Sequence, residues 1–180
     1  IVRENARIAE SAQLHRALAV SKGSIDSDFG MALHAIFASD KGDKSESERI
    51  ALIAASLERW ASSASVSPND ILLTLDTFYA WIEQRWPTAR RYREWPLDMV
   101  DGKGSLIRGT ADYVLITKEG FVVIDHKSYP GAFEEAQDRL ANYGGQLFAY
   151  ATAIMAATGK ACLGTWLHFP VAGKVIKVEE

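Results

Sequence analysis

Three observations predict an α/β fold: a sheet with helices packed on it, preceded by an N-terminal helical region. Apolar residues recur at helical spacing through the first half of the chain, and the period changes after Pro87. Beyond that proline, short apolar runs of strand length bracket one long helical segment. The order is helices, three strands, a helix and two strands, which is the pattern of a helix-flanked sheet.

Residues 3–20 are Ala-rich and loosely amphipathic, so a first helix is expected there. Ser24-Ile25-Asp26-Ser27-Asp28 then offers capping side chains ahead of Phe29, Leu33, Ile36 and Phe37 at helical spacing. Asp40 to Glu48 mixes acids, bases, Gly and Ser with no apolar face and reads as a solvated loop. Ile50, Ile53, Ala54, Leu57, Trp60 and Ala61 form one helical stripe. A second stripe runs through Ile71, Leu72, Leu75, Phe78, Tyr79, Ile82 and Trp86, with Ser67 as N-cap, Pro68 at N1 and Pro87 as its stop. Both stripes are expected in the core. Strands follow at 89–99, 105–117 and 121–128, with Asp101-Gly102 and Thr117-Lys118-Glu119-Gly120 as the turns. Tyr113 to Ile116 and Phe121 to Ile124 are continuously apolar, as befits strands covered on both faces. A long helix from about Phe133 to Thr158 ends at Gly159, and strands near 161–169 and 173–178 close the chain.

The composition excludes several classes. With 180 residues the chain has room for one core, and no apolar run approaches a membrane span. A formal net charge of −3 is not that of a general polycation. The single cysteine, Cys162, excludes an internal disulfide framework and any four-cysteine zinc or iron–sulfur site. No Gly-rich phosphate loop is present, so ATP binding is not expected in these residues. A reducing, cytoplasmic location is expected from the single cysteine and the absence of a signal-peptide pattern or membrane-length apolar run in these residues. The first residue is Ile1 rather than Met, as expected of a piece of a longer polypeptide.

Asp112 and Asp125 each stand at the end of an apolar run. An even-length turn between the two strands puts them directly opposite one another, with Cβ atoms roughly 5 Å apart and like charges in repulsion. Lys127 shares that face, and His126 points away. An odd, bulged turn would separate the aspartates onto opposite faces. In the even register, paired carboxylates beside an ammonium group suit Mg²⁺ or Mn²⁺, with Lys127 orienting or helping to deprotonate the attacking water, or neutralising charge on a phosphate. The plainer reading is a strand-end acid and a turn acid with Lys127 as a salt-bridge partner. Tyr143, Gln146 and Tyr150 share one face of the long helix, which suits a phosphate or a base as well as an interfacial stripe. Gly144-Gly145 weakens that helix and implies close approach by a strand or a nucleic-acid backbone. His34 lies at the edge of an apolar stripe; like His15 and His168, it reads as structural when taken alone.

Taken together, Gly109-Thr110-Ala111-Asp112, Val123-Ile124-Asp125-His126-Lys127 and Gln146-Leu147-Phe148-Ala149-Tyr150 resemble the PD-(D/E)XK nuclease superfamily. Gly30-Met31-Ala32-Leu33-His34 narrows the resemblance to the RecB/AddA-type nuclease domain at the C-terminus of ATP-dependent helicase–nucleases. The resemblance implies a restriction-endonuclease-like core with a mixed central sheet. It makes His34, Asp112 and Asp125 metal ligands, completed by the His126 backbone carbonyl. Lys127 becomes the catalytic lysine, and Gln146 and Tyr150 position it and the substrate. Glu94, in Arg93-Glu94-Trp95-Pro96, falls where relatives often carry a glutamate and would support the ligands from behind. The lone cysteine places the chain with relatives that lack an iron–sulfur cluster.

Residues 1–87 would then be a helical part carrying His34, and 88–180 the core sheet and helix, together one nuclease domain. The expected activity is metal-dependent, exonuclease-type hydrolysis of single-stranded DNA in recombinational repair. Partners would be DNA, a helicase region of the same polypeptide and a second component of a nuclease complex, with no membrane. Arg85, Arg90, Arg91, Arg93, Lys103 and Arg108 offer a track for the DNA backbone, with Tyr143 beside it; a solvated strand edge reads equally well. The rival functions are a non-catalytic DNA-binding or docking module of a recombination complex and a stand-alone phage-type or restriction-type nuclease.

Overall fold

The computed structural model describes residues 5–20, 27–61, 66–100, 106–129 and 137–180. Ten elements follow in order: β1 (Arg7–Gln13), α1 (Ser27–Ser39), α2 (Glu46–Ala61), α3 (Pro68–Arg85), β2 (Arg90–Val100), β3 (Leu106–Ile116), β4 (Gly120–His126), α4 (Gln137–Thr158), β5 (Ala161–Phe169) and β6 (Lys174–Glu179). They build one six-stranded sheet ordered β1-β6-β5-β4-β3-β2. β4 and β5 pair in parallel and the other neighbours antiparallel, so the sheet is mixed. A parallel neighbour requires a crossover, and α4 is that crossover between β4 and β5.

The two faces of the sheet carry separate cores. One joins Phe29, Leu33 and Phe37 of α1, Ile53 and Leu57 of α2 and Ile71, Leu75, Phe78 and Ile82 of α3 to Tyr113, Val122, Ile124 and Trp166. The other seats Leu140, Leu147, Ala151 and Ile154 of α4 on Val114, Phe121, Val123, Leu167 and Ile176. β4 is buried along its whole length, as its unbroken apolar run requires. Ser67 accepts from the Asn69 N–H and Pro68 opens α3, so that cap is as its sequence indicates. The Asp101-Gly102 turn, residues 24–26 of the capping cluster and residues 133–136 of the long helix lie outside the described residues.

Three expectations are corrected. The helix expected over 3–20 is strand β1 across Arg7–Gln13, paired antiparallel with β6. Alanine-rich helix propensity loses there to the hydrogen-bond ladder of a strand more than 160 positions away, from Arg7 opposite Glu179 to Gln13 opposite Lys174. The segment from Asp40 to Glu48 is not solvated throughout. Asp40 is buried and takes a two-pronged ion pair from Arg49, at 2.9 Å on each oxygen, and its backbone carbonyl accepts from Tyr79 Oη at 2.8 Å. Its far end is a capping box: Glu48 Oε2 accepts from the Ser45 N–H at 2.9 Å while Ser45 Oγ accepts from the Glu48 N–H at 3.4 Å. Finally, the α2 stripe is core only in part, because Ala54 and Trp60 face solvent.

Candidate active site

The β3–β4 hairpin decides the geometry. Tyr113 lies opposite Ile124 and Val114 opposite Val123, which is the even register. One step further along both strands brings Asp112 against Asp125. Asp112 Oδ2 accepts the His126 backbone N–H at 2.7 Å, fixing that carboxylate on the end of β4. Lys127 Nζ stands 2.6 Å from Asp125 Oδ2 and donates to Gln146 Oε1 at 3.0 Å. Gln146 Nε2 in turn donates to Tyr150 Oη at 2.7 Å, and Lys127 Nζ sits 4.9 Å from the centre of the Tyr143 ring. The shared face of α4 therefore meets the aspartate–lysine pair through a continuous chain of polar contacts.

From the other side of the sheet, α1 brings His34 Nδ1 to 3.5 Å from Asp112 Oδ2. Ligand atoms of His34, Glu94 and Asp112 lie within 4.8 Å of one another, a grouping able to hold a metal ion. Asp125 is not a member of this trio and is engaged with Lys127 instead. The His126 ring turns away, as alternation requires, into the core among Phe37, Phe78 and Tyr113. There its Nδ1 is 3.0 Å from His168 Nδ1, while the Lys127 N–H donates to the His168 carbonyl at 2.8 Å. β5 thus pins the backbone of the Asp125-His126-Lys127 segment.

Glu94 reaches the trio through an unusual backbone. Its φ is +50°, in the left-handed region that L-residues avoid at a cost of about 1–3 kcal/mol. The conformation reverses the strand's alternation. Arg93 lies over the Tyr79 and Tyr113 rings on the α1–α3 side, whereas Trp95, two residues on, packs on the α4 side with its partner Ala111. Tyr150 approaches β3 so closely that a Cβ on Gly109 would stand 2.9 Å from its Cε1, so that position accepts only glycine without moving the ring. Gly144 is needed for a similar reason: a Cβ there would come within 2.8 Å of Ala6 Cβ, so the close approach is by the chain leading into β1.

The electrostatics follow from burial and crowding. Burial raises the Asp125 carboxyl, the Asp112 charge raises it further, and Lys127 only partly offsets them, leaving it at about 6. Burial acts on Asp112 too, but the contacts with His34 and His126 outweigh it and hold this carboxyl below its ordinary range. His34 is raised by its contact with Asp112. Glu94 is raised by desolvation and by the Asp112 charge. Burial would lower Lys127, but the Asp125 carboxylate prevails and keeps the ammonium charged. His126 is pushed down to about 4 by burial, and His168 is lowered for the same reason, so this pair is neutral.

The sequence itself matches a known family along most of its length. The profile of the PD-(D/E)XK nuclease superfamily covers residues 6–176. The chain belongs to the PD-(D/E)XK nuclease superfamily. It is also 33% identical over 73 residues to an ATP-dependent helicase/nuclease subunit from Carboxydothermus hydrogenoformans, a match covering 41% of this chain and 6% of that protein. The chain thus spans a small part of this relative's length.

The contacts given above link His34, Asp112, Asp125, Lys127, Gln146 and Tyr150 at one end of the sheet. Glu94 groups directly with His34 and Asp112 instead of standing behind them. Nothing in Arg93-Glu94-Trp95-Pro96 signals the left-handed backbone that brings it there. The proposed DNA track is more heavily engaged. Arg85 pairs with Glu10, Arg91 with Glu83 and Arg108 with Asp98, and Arg93 is stacked inside. Arg90 is exposed at the start of β2, and Lys103 lies outside the described residues. Among the described residues no helix is long and apolar enough to cross a membrane.

Proposed function

We propose that this chain is a divalent-metal-dependent deoxyribonuclease domain that hydrolyses single-stranded DNA, exonuclease-type, within a longer cytoplasmic helicase–nuclease that serves recombinational repair. Residues 1–87 and 88–180 then act as one unit, since His34 from the first part and Asp112 from the second serve the same centre. The observation that carries the reading is the buried, repelling Asp112–Asp125 pair with Lys127 at its side.

The donor set fits a hard cation. Two carboxylates and an imidazole converge where burial and mutual repulsion lift Asp125 to about 6, a cost that a divalent ion would relieve. His34, Asp112 and Asp125 would hold Mg²⁺ or Mn²⁺ with the His126 carbonyl, and Glu94 stands within reach to join them. Such an ion supplies Lewis acidity toward a phosphate and acidifies water. Lys127, kept charged by Asp125, faces the reacting phosphate as an ammonium and offsets the negative charge that develops there. Gln146 holds the Nζ, and Tyr150 holds Gln146, so the lysine head is oriented beside Asp125. No iron–sulfur cluster and no ATP enter this scheme.

The test is cleavage of a fluorescent single-stranded oligonucleotide in Mn²⁺ and in EDTA by the chain and its Asp125→Ala and Lys127→Ala variants. Turnover in Mn²⁺, none in EDTA and a loss of at least about 10²-fold in each variant is the expected result. Tight binding with no turnover in Mn²⁺ or Mg²⁺ would make this a non-catalytic docking module instead.

A further inference from the structure

The left-handed turn at Glu94 does more than aim a carboxylate. In a regular strand, residues three apart face opposite sides. Arg93 lies on the α1–α3 side, over Tyr79 and Tyr113, so Tyr92 projects to the α4 side. With alternation reversed at Glu94, Trp95 projects to that same side. The two rings meet edge to face, 4.8 Å between centroids at 69°. Trp95 is half-buried against the α4-side core, and Tyr92 rests on it with 38% of its surface exposed. β2 is the outermost strand of the sheet, so no described strand flanks this pair on its outer side.

The position is specific. Trp95 is the chain neighbour of Glu94, and its partner across the ladder, Ala111, is the chain neighbour of Asp112. Tyr92 itself pairs with Val114, two residues along β3 from Asp112. An exposed phenol ring braced by an indole therefore flanks the trio able to hold a metal ion, on the α4 side of the sheet with Lys127, Gln146 and Tyr150. A flat, rigid aromatic surface next to a phosphodiester-cleaving centre fits a nucleobase, since every base offers a π-face. A base within a duplex has both faces taken by its neighbours, whereas an unpaired base can lie on Tyr92.

We propose that Tyr92, braced by Trp95, is a base-stacking subsite for an unpaired nucleotide adjoining the scissile phosphate, selecting single strands without reading their sequence. This rests on the nuclease reading above and names how that site would recognise its substrate.

Binding of short fluorescent single-stranded DNA to the whole chain, read by anisotropy in EDTA, tests the subsite separately from cleavage. Tyr92→Ala and Tyr92→Leu should each weaken binding about tenfold, and Tyr92→Phe should stay within about twofold of the parent. Moving one abasic site along the oligonucleotide should weaken binding to the parent at one or two positions and leave Tyr92→Ala unaffected at those positions. The abasic series with the unaltered protein keeps the test decisive if a variant folds poorly. Equal binding by Tyr92→Ala and the parent, or loss in Tyr92→Phe as large as in Tyr92→Ala, would overturn the subsite. Failure of the nuclease reading looks different: sound binding and no turnover in Mn²⁺ by the unaltered chain.

Discussion

Asp125→Asn should make the metal-free protein more stable while removing its metal response. Asp125 is 2% exposed and faces a second carboxylate that is held in its charged form. Its titration moves from an ordinary 3.8 to about 6, so at pH 8 the fold carries a carboxylate it disfavours by about 3 kcal/mol even with Lys127 beside it. The sign follows from linkage. The folded state binds this proton more tightly than the unfolded chain, so stability is lost as pH rises from about 4 to about 6 and the full cost persists above. Asparagine copies the neutral form in nearly the same volume. In EDTA at pH 8, Asp125→Asn should gain up to about 3 kcal/mol, or several degrees in Tm at about 2–4 °C per kcal/mol for a chain of this size. At pH 4 the gain should shrink toward zero. Added Mn²⁺ should stabilise the parent and leave the variant unchanged. Urea and thermal denaturation followed by circular dichroism read all three. A variant no more stable than the parent at pH 8, or a gain that persists at pH 4, would refute the claim that the two carboxylates repel one another in a buried site.

Gly109→Ala sets a Cβ 2.9 Å from Tyr150 Cε1, so the ring must turn and the Lys127–Gln146–Tyr150 chain must loosen. Steady-state cleavage should fall about 10–100-fold with a stability loss under about 2 kcal/mol; unchanged cleavage would make Tyr150 a bystander. Arg49→Ala strands the buried Asp40 carboxylate without its two-pronged partner and should cost about 3–5 kcal/mol in urea denaturation. A loss below about 1 kcal/mol would show that water reaches Asp40 freely. Glu94→Gly should be more stable than Glu94→Ala by about 1 kcal/mol in thermal denaturation, because only glycine is at ease at a φ of +50°. Both should weaken Mn²⁺ binding in calorimetry, and equal melting of the two would remove the strain argument.

Much of the site was legible because it depends on short-range rules. The parity of the Thr117–Gly120 turn decides whether Asp112 meets Asp125, and the helical period places Tyr143, Gln146 and Tyr150 on one face. What escaped depends on distant partners or on unusual backbone. β1 looks helical from its alanines and becomes a strand because β6 presents an edge to it. Asp40 looks like one more loop acid until Arg49 and Tyr79 surround it. Arg91 and Arg108 look like free cations until Glu83 and Asp98 pair with them. Glu94 was visible as a residue, but its weight in the site comes from a backbone conformation that no residue type at that position announces.

The proposed cleavage depends on one divalent cation joining His34, Asp112 and Asp125. Anomalous diffraction from Mn²⁺-soaked crystals of this chain, collected above the manganese absorption edge, would locate that ion. An anomalous peak is expected within ligand distance of His34, Asp112 and Asp125, and it should be absent from crystals of Asp125→Asn. A fully soaked crystal with no peak at these residues, or with manganese bound only elsewhere on the chain, would rule the shared centre out.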